Sequence, residues 1–295
     1  MKHTKTVETK ETSMKHTKTV ETVVEDIYEL MTTSKVSKGV DIDKAFKRFG
    51  DNVADVVFDS LFQDRGDTTR LRMSSVGKPD RQVWLNSKGT VREPLSAPTL
   101  IKFLYGHVLE EMLLLLTELS GHKVENQQRK VEVNGVKGSM DCTIDGTLID
   151  VKSASSFGFK KFKDNTVEFD DPFGYVDQLK GYGHGLDVKE GGWLAMDKVN
   201  GQLALAMIDL TQGKAITDRI DHLKEVVNST EMPEPCASPV ADGKSGNMKL
   251  PTKCSYCDFK KTCYPELRTF LYSNGPKFLT EVWNVPRVIE VTENK

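Results

Sequence analysis

Apolar residues along the chain fall into two rhythms, one recurring every three to four positions and one alternating. The first rhythm predicts helices over residues 23–31 and 43–62, and again over 99–119, where Ile101, Leu104, Val108, Met112, Leu115 and Leu119 share one face. Pro98-Thr99 opens that last helix and Ser120-Gly121 closes it. The second rhythm predicts strands over 124–133, 136–144 and 147–153, separated by Asn134-Gly135 and Asp145-Gly146. A glycine-rich helix over 172–186 follows, then a hairpin of 192–199 and 202–210 about Asn200-Gly201, then a helix over 213–227. Residues 64–98, rich in Arg, Gly, Ser and Pro, read as irregular with one strand at 82–85. Residues 154–171 read as a loop, and the chain beyond 230 as an irregular tail bearing cysteines. Helix, three strands, helix and two strands in that order predict an α/β fold on a mixed sheet.

Composition narrows the picture. Charged residues make up 28% of the 295 and the formal net charge is −2, so a nucleic-acid partner would need a local basic patch. The run MLLLL at residues 112–116 is far shorter than the ~20 residues of a membrane helix. The first residues lack the apolar core of a signal peptide, and the expectation is a cytoplasmic protein with no membrane partner. MKHTKTVET at 1–9 recurs at 14–22, and residues 1–22 are expected to be a mobile polar tail.

The hairpin over GSMDCTIDGTLIDVKS carries the first candidate chemistry. With Asp145-Gly146 as its loop, Cys142 faces Ile149 and Asp141 faces Asp150. Like charges set opposite one another in this way destabilise a strand pair. Lys152 shares the face of Asp150, while Met140, Cys142, Ile149 and Val151 are expected on the other. Two readings stand at this point: a divalent cation relieves the repulsion, or the acids and lysine lie on a solvated outer face. Glu110 and Glu111 interrupt the long apolar helix, and at least one is expected to point inward and need a partner. Gln178 and Tyr182 are spaced i and i+4, on one side of their helix.

Taken in order, Gly106-x-x-x-Glu110, Gly138-x-x-Asp141, Asp150-Val151-Lys152 and Gln178-x-x-x-Tyr182 resemble the PD-(D/E)XK nuclease superfamily, in particular its RecB-like and phage exonuclease branch. The resemblance spans about residues 99–210 and implies a restriction-endonuclease-like α-β-β-β-α-β core. It implies that Glu110, Asp141, Asp150 and the Val151 carbonyl hold Mg²⁺ or Mn²⁺. It assigns Lys152 to the attacking water, and Gln178 and Tyr182 to positioning the DNA strand. His107 is not counted among the ligands. Lys160, Lys161 and Lys163, interleaved with Phe157, Phe159 and Phe162, read equally as a loop that contacts phosphates and bases or as a solvated basic edge.

Five cysteines form a second constellation. Cys142 reads as a buried thiol. Cys254, Cys257 and Cys263 in CSYCDFKKTC, joined by Cys236, read as four thiolate ligands. The run resembles the C-terminal motif of iron–sulfur nucleases such as AddB and CRISPR-associated RecB-like exonucleases. In those relatives the first ligand lies far upstream; here no cysteine precedes Cys142. The expectation is a 4Fe-4S cluster, with Zn²⁺ the alternative.

The resulting division is a tail at 1–22, a helical and irregular region at 23–98, a nuclease core at 99–230 and a cysteine-rich metal-binding region at 231–295. The expected function is a Mg²⁺- or Mn²⁺-dependent deoxyribonuclease, of exonuclease type, acting on DNA ends in phage-type recombination, replication or DNA processing. The competing expectation is an end-binding or adaptor protein that does not cleave.

Overall fold

The computed structural model describes residues 18–62 and 69–291. Most of the duplicated segment therefore lies outside the described residues. Val20, assigned to the tail from sequence, is buried in a short turn leading into the first helix.

The helices are α1 (Val23–Thr33), α2 (Ile42–Phe62), α3 (Asp80–Ser87), α4 (Ala97–Leu119), α5 (Ser156–Lys163), α6 (Tyr175–Leu186), α7 (Ile216–Asn228), α8 (Thr252–Ser255) and α9 (Lys260–Cys263). The strands are β1 (Val124–Glu125), β2 (Lys130–Val133), β3 (Val136–Ser139), β4 (Cys142–Ile144), β5 (Thr147–Ala154), β6 (Glu190–Asp197) and β7 (Leu203–Asp209). After α7 come β8 (Val240–Ala241), β9 (Met248–Lys249), β10 (Arg268–Tyr272), β11 (Gly275–Glu281) and β12 (Ile289–Val291).

The fold is mixed α/β. Its central sheet runs β1-β4-β5-β6-β7, with β5 and β6 parallel and the other neighbours antiparallel. Parallel strands need a long crossover, which the segment carrying α5 and α6 supplies. Both faces of the sheet are covered. Ile27 of α1 and Leu113 and Leu114 of α4 pack with Cys142, Ile144, Ile149, Val151 and Leu194 on one side. Phe159 and Phe162 of α5, Leu179 and Tyr182 of α6 and Ile220 and Leu223 of α7 pack with Leu148, Trp193 and Ala206 on the other.

Four expectations are corrected. The strand expected at 82–85 is part of α3: Pro79-Asp80 starts a helix, and Asp80 is held by Arg219 and His222 of α7, each at 2.6 Å. The loop expected at 154–171 contains α5, capped where the Ser155 hydroxyl accepts the Gly158 N–H; Phe159 and Phe162, i and i+3, are core residues. The two long strands expected over 124–144 are each broken. Asn126 and Gln128 take positive φ, and β2–β3 leave the central sheet as a separate hairpin beneath α6. Finally, the tail folds into a five-stranded antiparallel sheet ordered β12-β10-β11-β9-β8.

Candidate active site

The β4–β5 hairpin turns at Asp145-Gly146, both at positive φ, and its pairs Cys142↔Ile149, Thr143↔Leu148 and Ile144↔Thr147 follow the register read from sequence. The ladder stops there. Asp141 does not simply face Asp150: its Oδ2 accepts the Val151 N–H at 2.9 Å, replacing a missing strand partner. Met140 also leaves the Cys142 face and joins the opposite core cluster.

Asp150 therefore points into the covered side of the sheet, at 4% exposure, rather than onto a solvated face. Lys152 Nζ lies 2.7 Å from Asp150 Oδ2 and 3.8 Å from Asp141 Oδ2, and donates to the Val151 carbonyl at 3.2 Å. The ammonium thus sits among the oxygens that the motif resemblance assigns to a cation. Asp150 Oδ1 is buried and has no hydrogen-bond partner. Burial pushes the Asp150 carboxyl up to about 7; Lys152 opposes the shift, while Asp141 and Glu110 add to it. Burial pulls Lys152 the other way, but Asp150, Asp141 and Glu110 outweigh it and hold the ammonium above its usual range.

The charge of Glu110, on α4, acts on Asp150 and Lys152, and α4 packs closely on β5. A Cβ at Gly106 would lie 3.2 Å from Ser153 Oγ, so a larger residue there would press on the strand. One turn later Glu110 Oε2 is 3.2 Å from His107 Nδ1, a bond that raises the imidazole pKa. His107, left out of the ligand set from sequence, thus joins the acidic group; its i, i+3 spacing to Glu110 was the available signal. Glu111 turns away and accepts from Asn52 of α2 at 2.8 Å.

Gly138 has a similar reason. A Cβ there would fall 2.5 Å from Met73 Cβ and 2.8 Å from Tyr182 Cε1, so only glycine lets α6 settle over the hairpin. Tyr182 is buried, its pKa raised by burial, and Gln178 Nε2 donates to its hydroxyl at a long 3.4 Å. The Tyr175 ring, absent from the sequence reading, lies 5.5 Å from Lys152 Nζ.

Cys236, Cys254, Cys257 and Cys263 line one small cavity with Pro79 and Gln82 of the α3 start. Burial raises the Cys236, Cys254 and Cys257 thiols, Cys257 to about 11, so an ionised thiolate there needs a compensating charge. Cys142 is fully buried between sheet and helices, as its sequence context suggested. Lys161, in the run read equally as a phosphate-contacting loop or as a solvated basic edge, pairs with Asp170 at 2.7 Å.

The donors fit two kinds of ion. Carboxylate and carbonyl oxygens suit a hard divalent cation, and Asp150 Oδ1 is an acceptor left open for one. Four thiols suit zinc or an iron–sulfur cluster. Among the described residues, no three His, Cys, Asp or Glu side chains converge tightly enough to enclose an ion.

No protein-family model matches the chain, and no curated protein sequence matches it. Solved structures give distant likenesses. SSO0001 shares 16% identity over 72% of this chain and 95% of its own, with a TM-score of 0.43. An alkaline exonuclease from Laribacter hongkongensis shares 14% over 55% and 91%, at 0.37. A phage-related exonuclease from Haemophilus somnus 129PT shares 15% over 54% and 91%, at 0.39. The chemistry of the site rests on this chain's own residues.

Proposed function

We propose that the chain is a divalent-cation-dependent DNA nuclease, of exonuclease type, working in phage-type recombination, replication or DNA processing. One observation carries the reading: a buried aspartate, Asp150, has an unpartnered oxygen in a group that also holds Asp141, Glu110 and Lys152. Lys152 is a single cation beside three carboxylates, and a further cation would offset the remaining negative charge.

Glu110, Asp141, Asp150 and the Val151 carbonyl would hold Mg²⁺ or Mn²⁺, which supplies charge stabilisation at a phosphoryl group and a nucleophilic water at neutral pH. Lys152 keeps its proton, so it acts as a donor: it orients the attacking water and offsets charge developing on the phosphate. Gln178 and Tyr182 present an amide and a phenol that hydrogen-bond the strand. The cysteines would bind a 4Fe-4S cluster, with zinc as the alternative, and tie residues 231–265 to α3; metal analysis of anaerobically purified protein separates the two.

Incubation with end-labelled linear and circular DNA, in Mg²⁺, Mn²⁺ or EDTA, tests the reading. Metal-dependent loss of linear DNA supports an exonuclease. Binding without cleavage in any metal would leave the adaptor reading instead.

A further inference from the structure

Three aromatic rings lead away from the acidic group along the protein surface. Lys152 Nζ lies over Tyr175 at 5.5 Å; Tyr175 and Phe173 have centroids 5.5 Å apart; Phe173 and Tyr256 are again 5.5 Å apart. The row thus runs from the start of α6 to the segment between Cys254 and Cys257. Exposure rises along it: Tyr175 is half-buried, Phe173 is 41% exposed and Tyr256 69%.

The rings are held in place. Asp171 accepts from the backbone N–H groups of Phe173, Gly174 and Val176, at 3.3, 2.8 and 2.8 Å, which fixes the turn that presents them. Gly174, at positive φ, lies against Gly77 so closely that a Cβ on either would clash with the other's backbone. Lys78 follows Gly77, and Asp258 and Cys257, which lie beside Tyr256 in the chain, act on its charge. Lys78 is half-buried and, among the described residues, has no ion-pair partner.

Exposed rings on a rigid turn, with a half-buried lysine following the glycine packed against it, match one kind of ligand better than others. A protein partner wants a continuous apolar face, and this row is interrupted by glycine backbone and a cation. Unpaired nucleotides offer a flat π-face and a phosphate at each step, which ring and ammonium satisfy together. We propose that Tyr175, Phe173 and Tyr256, with Lys78, form a base-stacking track for an unpaired DNA strand, delivering its end to Lys152. The track rests on the proposed nuclease reading for its purpose, not for its geometry.

Binding in EDTA separates the two. Fluorescence anisotropy with labelled oligothymidylate should show Phe173→Ala and Tyr256→Ala each weakening binding roughly tenfold, with blunt duplex binding unchanged. Tyr256→Phe, which keeps the ring, should bind like the wild type, and Lys78→Gln should flatten the salt dependence. Oligonucleotides with abasic linkers should weaken the wild type, and the alanine variants should add nothing further on them. Melting temperature and metal content of each variant report whether the cysteine segment stays intact.

Alanine variants that bind single strands like the wild type overturn the track. So does a wild type that binds no single strand, or variants that change only the oligomeric state in light scattering. Mg²⁺-dependent cleavage measured alongside keeps the outcomes distinct. Cleavage with ring-independent binding sinks the track and leaves the nuclease; ring-dependent binding without cleavage does the reverse.

Discussion

The acidic group and the cysteine group are built in opposite ways. Asp150 and Lys152 project from β5, a strand paired with neighbours over much of its length in a sheet covered on both faces. The cysteines ride on α8, α9 and the loops around them, anchored by a few local contacts such as Lys260–Glu93 at 2.9 Å and Tyr264 Oη to the Ala237 carbonyl at 3.1 Å. In the first group the scaffold is rigid and the side chains are under electrostatic stress. In the second, on the proposed reading, a bound metal would cross-link the scaffold itself. Removing a ligand should therefore change chemistry in one and stability in the other.

The largest expected effect is on catalysis. Asp150→Asn or Lys152→Ala should lower Mg²⁺-dependent cleavage by roughly a thousandfold or more, while the melting temperature of the metal-free protein holds or, for Asp150→Asn, rises. Cleavage near the wild-type rate would break the comparison at its root. Next comes the cysteine group. Cys257→Ser should lose bound metal, speed proteolysis within 231–265 and lower the melting temperature by roughly 4–8 °C, as a loss of about 2 kcal/mol would. Cleavage should fall only a few-fold. A large loss of activity with an unchanged melting curve would show that the two groups are coupled through chemistry rather than through folding.

The pH dependence sharpens the contrast. An unfolded aspartate titrates near roughly 3.9, whereas Asp150 is raised to about 7 in the folded chain. The folded state therefore binds more protons between those values, and metal-free stability should fall as pH rises through that window, by an amount on the order of a few kcal/mol. Lys152 works in the same direction in a different window: its raised pKa contributes stability below the free-lysine value, lost only at more alkaline pH. Denaturant melts of metal-free wild type and Asp150→Asn between pH 4 and 8 check this; the fall should be much shallower in the variant.

The smallest effect belongs to the α6 pair. Gln178→Ala and Tyr182→Phe should reduce turnover about tenfold and leave the heat of Mn²⁺ binding intact. Loss of that heat would place the pair on the metal rather than on the strand.

These two regions were unequally legible in the sequence. The β4–β5 register followed from Asp145-Gly146, because a two-residue turn fixes strand pairing. What the turn did not reveal was Asp141 breaking from the ladder to take the Val151 N–H, or Met140 crossing to the other core; both depend on β2–β3 leaving the sheet. The burial of Asp150 was equally hidden. A strand with acid and lysine on one side reads as half-exposed, and only the packing of α5, α6 and α7 overrides that. In α5 the Phe159–Phe162 spacing was present but obscured by three lysines. Around the cysteines, the C-x-x-C spacing was plain while the sheet was not. β8 and β9 are two residues each, and β10–β12 are mostly half-buried or exposed, too short and too solvated for alternation to show.

The central claim is that the open Asp150 oxygen belongs to a cation site. Calorimetric titration of Mn²⁺ at pH 8 into protein dialysed free of exchangeable divalent cations tests it without relying on turnover. The account predicts a binding heat in the wild type that disappears in Asp150→Asn and survives in Cys257→Ser. An equal heat in Asp150→Asn, or none in the wild type, would contradict it.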